Sequence, residues 1–150
     1  MTSPASFLLE AEEARALTNE AVAKGLDAHF HFGAFNDQSR LVGFVTARRG
    51  GAKRMRHMAD IGPLYVTASA QRQGHARALM EAAMEELRGE GVLQVELCVD
   101  EENSGARALY SALGFIAFGR RPRSVLIGTE PRHAILMIRA LDGADLSEPA

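Results

Sequence analysis

The stretch Gln71-Arg72-Gln73-Gly74-His75-Ala76 joins an apolar run, Ile61-Gly62-Pro63-Leu64-Tyr65-Val66, to an amphipathic segment. A strand, a glycine-bearing loop and a helix start, in that order, leave several backbone N–H groups without partners in the first helical turn. The helix dipole puts partial positive charge at the same place. Such a junction is a phosphate cradle. Gln71, Arg72, Gln73 and His75 are all polar and able to approach a phosphate. The pattern Q-x-x-G-x-A differs from the dinucleotide fingerprint and from the P-loop, which ends in Gly-Lys-Ser/Thr. A glycine before a helix is also common in a plain tight turn, so the loop alone says only that something phosphorylated fits there.

Two further segments bear on it. Proline donates no ladder hydrogen bond, so Gly62-Pro63 predicts a bulge or a splayed edge in the preceding strand. A splayed strand leaves backbone N–H and C=O groups for an extended ligand to pair with, as in strand addition. Downstream, Val99-Asp100-Glu101-Glu102-Asn103 leads into a short helix that Asn103 caps and that carries Ala106, Leu109, Tyr110 and Leu113 on one face. Taken singly these are a cap and core residues, and a tyrosine on a buried stripe is usually core with its hydroxyl satisfied.

The elements that must hold these groups alternate along the chain. Ser6 to Gly25 has helical spacing of Leu8, Ala11, Leu17, Ala21 and Val22. His29–Phe35 and Leu41–Ala47 read as strands of a hairpin closed by Asn36-Asp37-Gln38-Ser39. Arg48 to Arg54 reads as a basic loop and Met55 to Val66 as a long strand. A helix after Gly74 ends at Gly89 and Gly91. Val92–Val99 and Phe115–Phe118 are strands, Arg120 to Pro131 an excursion, and Ala134–Ala140 the last strand. The expected fold is α/β, a mixed sheet with helices between its middle strands. The 150 residues suit one domain over 1–150, with 5–141 as its core and 142–150 a polar tail.

A net charge of −2 gives no basic field for nucleic acid or an acidic membrane, and no apolar run reaches the length of a span. The first residues lack the basic and apolar regions of a signal peptide. The single cysteine, Cys98, cannot close an intramolecular disulfide, which fits a reducing, cytoplasmic setting. His29 and His31 share a strand face, but two ligands without a third are a weak metal signal.

Val99 to Phe115 resembles the second signature of the GCN5-related N-acetyltransferase (GNAT) family, V-x-x-x-N-x-x-A-x-x-L-Y-x-x-x-G-F, matched at every fixed position. Gln71–Ala76 resembles the same family's pyrophosphate loop, with one helix and one strand between the two. The resemblance covers roughly Ala5 to Leu141. It implies a mixed, mostly antiparallel sheet splayed at its central strand and flanked by helices, with acetyl-coenzyme A as cosubstrate. The backbone of Gln71, Arg72, Gln73, Gly74, His75 and Ala76 would meet the pyrophosphate. That of Leu64, Tyr65 and Val66 would meet the pantetheine and acetyl end, with Asn103 beside the arm. Tyr110 would act as general acid to the departing thiolate. Its ordinary pKa of about 10 keeps it protonated at neutral pH.

The chain departs from the pattern in two places. Many family members carry a glutamate on the splayed strand as general base, and Ile61–Val66 holds no carboxylate. Asp60, His57 and Glu96 are the nearest candidates; a water, or an amine arriving deprotonated, would serve instead. The family's first strand and first helix also lack counterparts ahead of Pro4. A misassigned start, a truncation and a strand from another chain each account for this. The Phe30–Phe35 strand is then an apolar edge, which a homodimer would cover. The leading function is acetyl transfer to a primary amine of a small molecule or protein, with neither nucleic acid nor membrane as partner. An inactive coenzyme A-binding module and a generic nucleotide-phosphate binder are the alternatives. Arg120, Arg121, Arg123 and Arg132 read as a solvated loop.

Overall fold

The computed structural model describes residues 29–147; the helix read over 6–25, the front of the chain and residues 148–150 lie outside them. Six strands and two α-helices follow in order: β1 (His29–Phe35), β2 (Leu41–Arg49), β3 (Met58–Val66), α1 (His75–Gly89), β4 (Gln94–Asp100), α2 (Ser104–Ala112), β5 (Ile116–Ile127) and β6 (Glu130–Ala140). They form one sheet in the order β1-β2-β3-β4-β6-β5. Every pairing is antiparallel except that of β3 with β4, which α1 connects. A parallel pair needs such a crossover.

Each helix buries one face against the sheet. Leu79, Met80, Ala83, Met84 and Leu87 of α1 are all buried, as is Tyr110 of α2. They close on Val45, Ala47, Leu64 and Val66 and on the alternate residues Val95, Leu97 and Val99 of β4. Alternation then turns Glu96 and Cys98 to the opposite face of the sheet. Val45, Ala83, Leu87 and Val95 are completely buried. Each large apolar side chain so removed from water contributes about 1.5–3 kcal/mol.

Several boundaries differ from the sequence reading. Arg48 and Arg49 belong to β2 and not to a loop, because they pair with Asp60 and Ala59. Lys53–Met55 is a single 3-10 turn, so β3 starts at Met58. The excursion read over 120–131 is instead the outer half of a long hairpin. β5 runs through Arg120–Arg123 as an edge strand with two register shifts, and its partner β6 begins at Glu130. An edge strand tolerates Pro122 and bulges because one side of its backbone faces no ladder. Among the described residues β1 is the other edge, with Phe35 61% exposed.

The sheet opens where Gly62-Pro63 predicts. Ala47 pairs with Ile61 and Val45 with Leu64, so β3 holds one more residue than β2 across that step, the signature of a bulge. The Gly62-Pro63 peptide is cis. On the other side of β3 the ladder with β4 covers only Met58–Asp60 against Gln94–Glu96. Beyond it the two strands part.

Candidate functional site

A cleft of about 470 Å³ lies against the open end of the sheet, a size ordinary for a small-molecule site. Leu64 and Val66 of β3 form one wall, Gln71 to Arg77 the loop and helix start, and Asn103 to Tyr110 the far side. A second, smaller cavity of about 20 Å³ fills the wedge between Ile61–Leu64 and Leu97–Asp100. Leu64 and Tyr110 line both, so they stand where cleft and wedge meet.

The loop reaches the helix through Gly74, which sits at φ 83° in the left-handed region. An L side chain there would be strained, whereas glycine adopts it freely. Arg72 also has positive φ, 65°. Gly74 is the N-cap and supplies no side-chain cap, which leaves the first N–H groups of α1 uncapped by a side chain and facing the cleft. Gln71 donates from Nε2 to the Val66 carbonyl at 3.1 Å and ties the loop to the end of β3. Gln73 donates to the Ser69 carbonyl at 3.3 Å.

Asn103 caps α2: its Oδ1 accepts from the Ala106 N–H at 3.0 Å. That bond fixes the amide orientation and leaves Nδ2 as a donor. Nδ2 is buried and has no hydrogen-bond partner among the described residues. A buried donor left unpaired costs roughly 1–3 kcal/mol, which a ligand carbonyl would recover. Tyr110 is 6% exposed and its ring meets Phe115 edge-on at 5.9 Å. Burial pushes its phenol up to about 12, so it is protonated across the neutral range. Among the described residues nothing hydrogen-bonds its hydroxyl.

The structure thus brings together Leu64, Val66, Gln71, Arg72, Gly74, His75, Ala76, Asn103 and Tyr110. Tyr65 and Gln73 do not line the cleft. Tyr65 points to the other side of β3, where its ring stacks near Phe44 at 5.9 Å. Arg77 does line it, paired with Glu81 at 3.0 Å. Its place one turn into α1 was the available signal, and the sequence reading passed over it. The arginines of the β5–β6 hairpin are mostly engaged and not simply solvated. Arg120 makes two bonds of 3.1 Å to the Glu101 carboxylate, and Arg121 Nη1 is 3.7 Å from Cys98 Sγ. Arg132 lies between Asp100 and Glu102. Its Nε is 2.7 Å from Glu102 Oε2 without the alignment of a hydrogen bond, so that contact is an ion pair.

None of Asp60, His57 and Glu96, the base candidates read from the sequence, lines the wedge; Glu96 is raised above the usual range, first by burial and then by Asp60. Burial also raises Cys98, against the pull of Arg121. Among the described residues no three His, Cys, Asp or Glu side chains group as metal ligands. None of their helices is long and apolar enough to cross a membrane.

The model of the acetyltransferase (GNAT) family matches residues 3–115. Curated relatives include mycothiol acetyltransferases from Beutenbergia cavernae, 47% identical over 60 residues, and Streptosporangium roseum, 39% identical over 80 residues. The matched parts are 38% and 51% of this chain but only 20% and 23% of those proteins. The chain therefore spans about a fifth of their length. Among solved structures, the ribosomal-protein-S18-alanine N-acetyltransferase of Escherichia coli superposes with a TM-score of 0.71 at 24% identity, over 89% of this chain and 83% of that one. An acetyltransferase of the GNAT family from Streptococcus pneumoniae gives 0.73 at 25% identity, over 83% and 77%.

Proposed function

This chain belongs to the GNAT acetyltransferase family, and on that premise we propose that it transfers acetyl from acetyl-coenzyme A to a primary amine by direct attack, with no acetyl-enzyme. The residues present fit that cosubstrate: a cleft beside a splayed strand, a left-handed glycine opening a helix, and an unpaired amide donor at Asn103. The first-turn N–H groups of α1 and the guanidinium groups of Arg72 and Arg77 hold the pyrophosphate. The backbone of Leu64 and Val66 and the Asn103 amide hold the pantetheine arm. When bound, acetyl-coenzyme A supplies a thioester whose carbonyl gains negative charge as the amine attacks, so donors placed there in advance lower the barrier.

Tyr110 carries the reading. Among the described residues it is the one ionisable side chain shared by cleft and wedge, and its raised pKa keeps a proton on the hydroxyl for a leaving thiolate. A thiol-release assay over a panel of small and peptide amines tests it. Turnover on some amine that falls on Tyr110→Phe supports the enzyme. Tight coenzyme A binding with no turnover on any amine would make the chain a binding module instead.

The acceptor is a small-molecule or protein amine. The mycothiol acetyltransferase relatives put small amines first in the panel, although only part of their length is matched. We read 1–150 as one catalytic domain acting in the cytoplasm. A homodimer would cover the β1 edge, where Phe35 and Leu41 are exposed.

A further inference from the structure

We propose that Asp100 is the proton acceptor for the attacking amine, reached through one water held in the wedge between β3 and β4; this rests on the acetyl-transfer reading. The Asp100 side chain is 6% exposed. Its Oδ1 is fully used: it accepts from the Glu102 N–H at 2.8 Å and from Arg132 Nη2 at 3.3 Å. Its Oδ2 is buried with no partner among the described residues. The residue lines the small cavity together with Gly62, Pro63, Leu64, Cys98 and Tyr110.

That cavity, about 20 Å³, has room for about one water, and a buried water belongs where a polar group lacks a partner. Leu64 and Tyr110 connect it to the cleft, so a molecule in it adjoins the end of the site where Tyr110 stands. Arg132 holds the other oxygen at 3.3 Å. Cys98, Tyr110, Glu102 and Arg132 are the titratable and charged groups around Asp100. Of the two carboxylates, only Asp100 lines the wedge and keeps a buried oxygen without a partner among the described residues. The strand segment Ile61–Val66 holds no carboxylate, and Asp100 supplies one from across the gap.

The amine N–H passes its proton to the water as that water gives one to Asp100 Oδ2. The nitrogen lone pair forms the N–C bond, the C–S bond breaks with its pair on sulfur, and sulfur takes the Tyr110 hydroxyl proton. Asp100 then loses its proton to solvent and Tyr110 regains one, so both are unchanged.

Asp100→Asn keeps an oxygen for the Glu102 N–H and removes the charge. With an amine taken from the panel, kcat should fall by about a hundredfold or more while coenzyme A affinity stays put; loss of the Arg132 pair should lower the melting temperature, with Glu102 still holding that guanidinium. The acid limb of the wild-type pH profile should disappear; a structural role alone would not move it. In a high-resolution crystal of the wild type with coenzyme A, one water should hydrogen-bond to Asp100 Oδ2; this readout does not need the variant to fold. A dry wedge, or a kcat within about threefold of wild type for Asp100→Asn, overturns the proposal while acetyl transfer stands. A wild type that turns over no amine overturns both.

Discussion

Asp60 on β3 and Glu96 on β4 are the last facing pair before the two strands separate. Two carboxylates in register on one sheet face repel, and among the described residues neither forms an ion pair. Both burial and Asp60 raise Glu96. The repulsion adds to the bulge at Gly62-Pro63 in setting where the ladder stops. It also charges the root of the wedge negatively on the face away from α1 and α2.

A stability prediction follows from that pair. A carboxyl whose folded pKa is raised favours its protonated form in the fold. Its stabilising share is complete below the unfolded pKa, about 4.3, and is lost as pH rises through the folded value. Glu96→Gln should therefore melt higher than wild type at pH 7 and alike near pH 4. The gain should stay under about 1 kcal/mol, because Glu96 is only partly buried and water screens the pair. Calorimetric melts at the two pH values check this, and equal melts at pH 7 would remove the repulsion from the account.

Tyr110 sets the alkaline limit. Its hydroxyl is raised to about 12 by burial, so loss of its proton should not depress turnover below pH 10. Tyr110→Phe should lower kcat by about 10²–10⁴-fold with coenzyme A affinity kept, and without loss of stability, since no group among the described residues bonds the hydroxyl. The pH–rate profiles of the two proteins decide this. A wild-type limb near pH 8 or 9 would have to come from another group.

The structural places of Gly74, Asn103 and Tyr110 were legible in the sequence because they are set locally. A glycine before a helix, a cap three residues before the N–H it accepts, and an i, i+3, i+4 stripe are all written within one turn of chain. The bulge at Gly62-Pro63 was legible because proline cannot join a ladder. Asp100 was not, since its importance depends on where β3 leaves β4 and on Arg132 arriving from β6. β5 was misread for a related reason. Gly119 and Pro122 break its alternation, and only the β6 ladder, reached across the turn at residues 128–129, makes the segment a strand. Tyr65 was read for its backbone, and alternation along β3 sends its ring to the face away from the cleft.

Asn103 does two jobs with two atoms, and substitutions separate them. Asn103→Asp keeps an oxygen for the Ala106 N–H and removes the Nδ2 donor, so stability should hold while coenzyme A affinity falls by about tenfold, the scale of one buried hydrogen bond. Asn103→Ala should lose both, with about 1 kcal/mol of stability gone with the cap. Titration calorimetry with coenzyme A beside thermal melts measures each. Unchanged affinity in Asn103→Asp would show that Nδ2 does not meet the arm.

The phosphate loop can be tested against a built-in control. A Cβ at Gly74 would meet nothing within 4 Å, so Gly74→Ala acts only through its φ of 83°. The left-handed conformation costs an L residue about 1–2 kcal/mol, and the loop can relieve that strain by turning its N–H groups out of the cradle. Gly128, at the β5–β6 turn, also has positive φ, 64°, and open space around a Cβ, so Gly128→Ala should carry a similar strain cost away from the cleft. Both variants should melt lower than wild type, but only Gly74→Ala should bind coenzyme A more weakly, by about tenfold for each 1.4 kcal/mol lost from the cradle. Equal affinity in the two variants would mean that the first turn of α1 does not hold the pyrophosphate. A loss confined to Gly74→Ala, shared by coenzyme A and by free pyrophosphate, would tie it to the phosphate end and leave the pantetheine wall out of the effect.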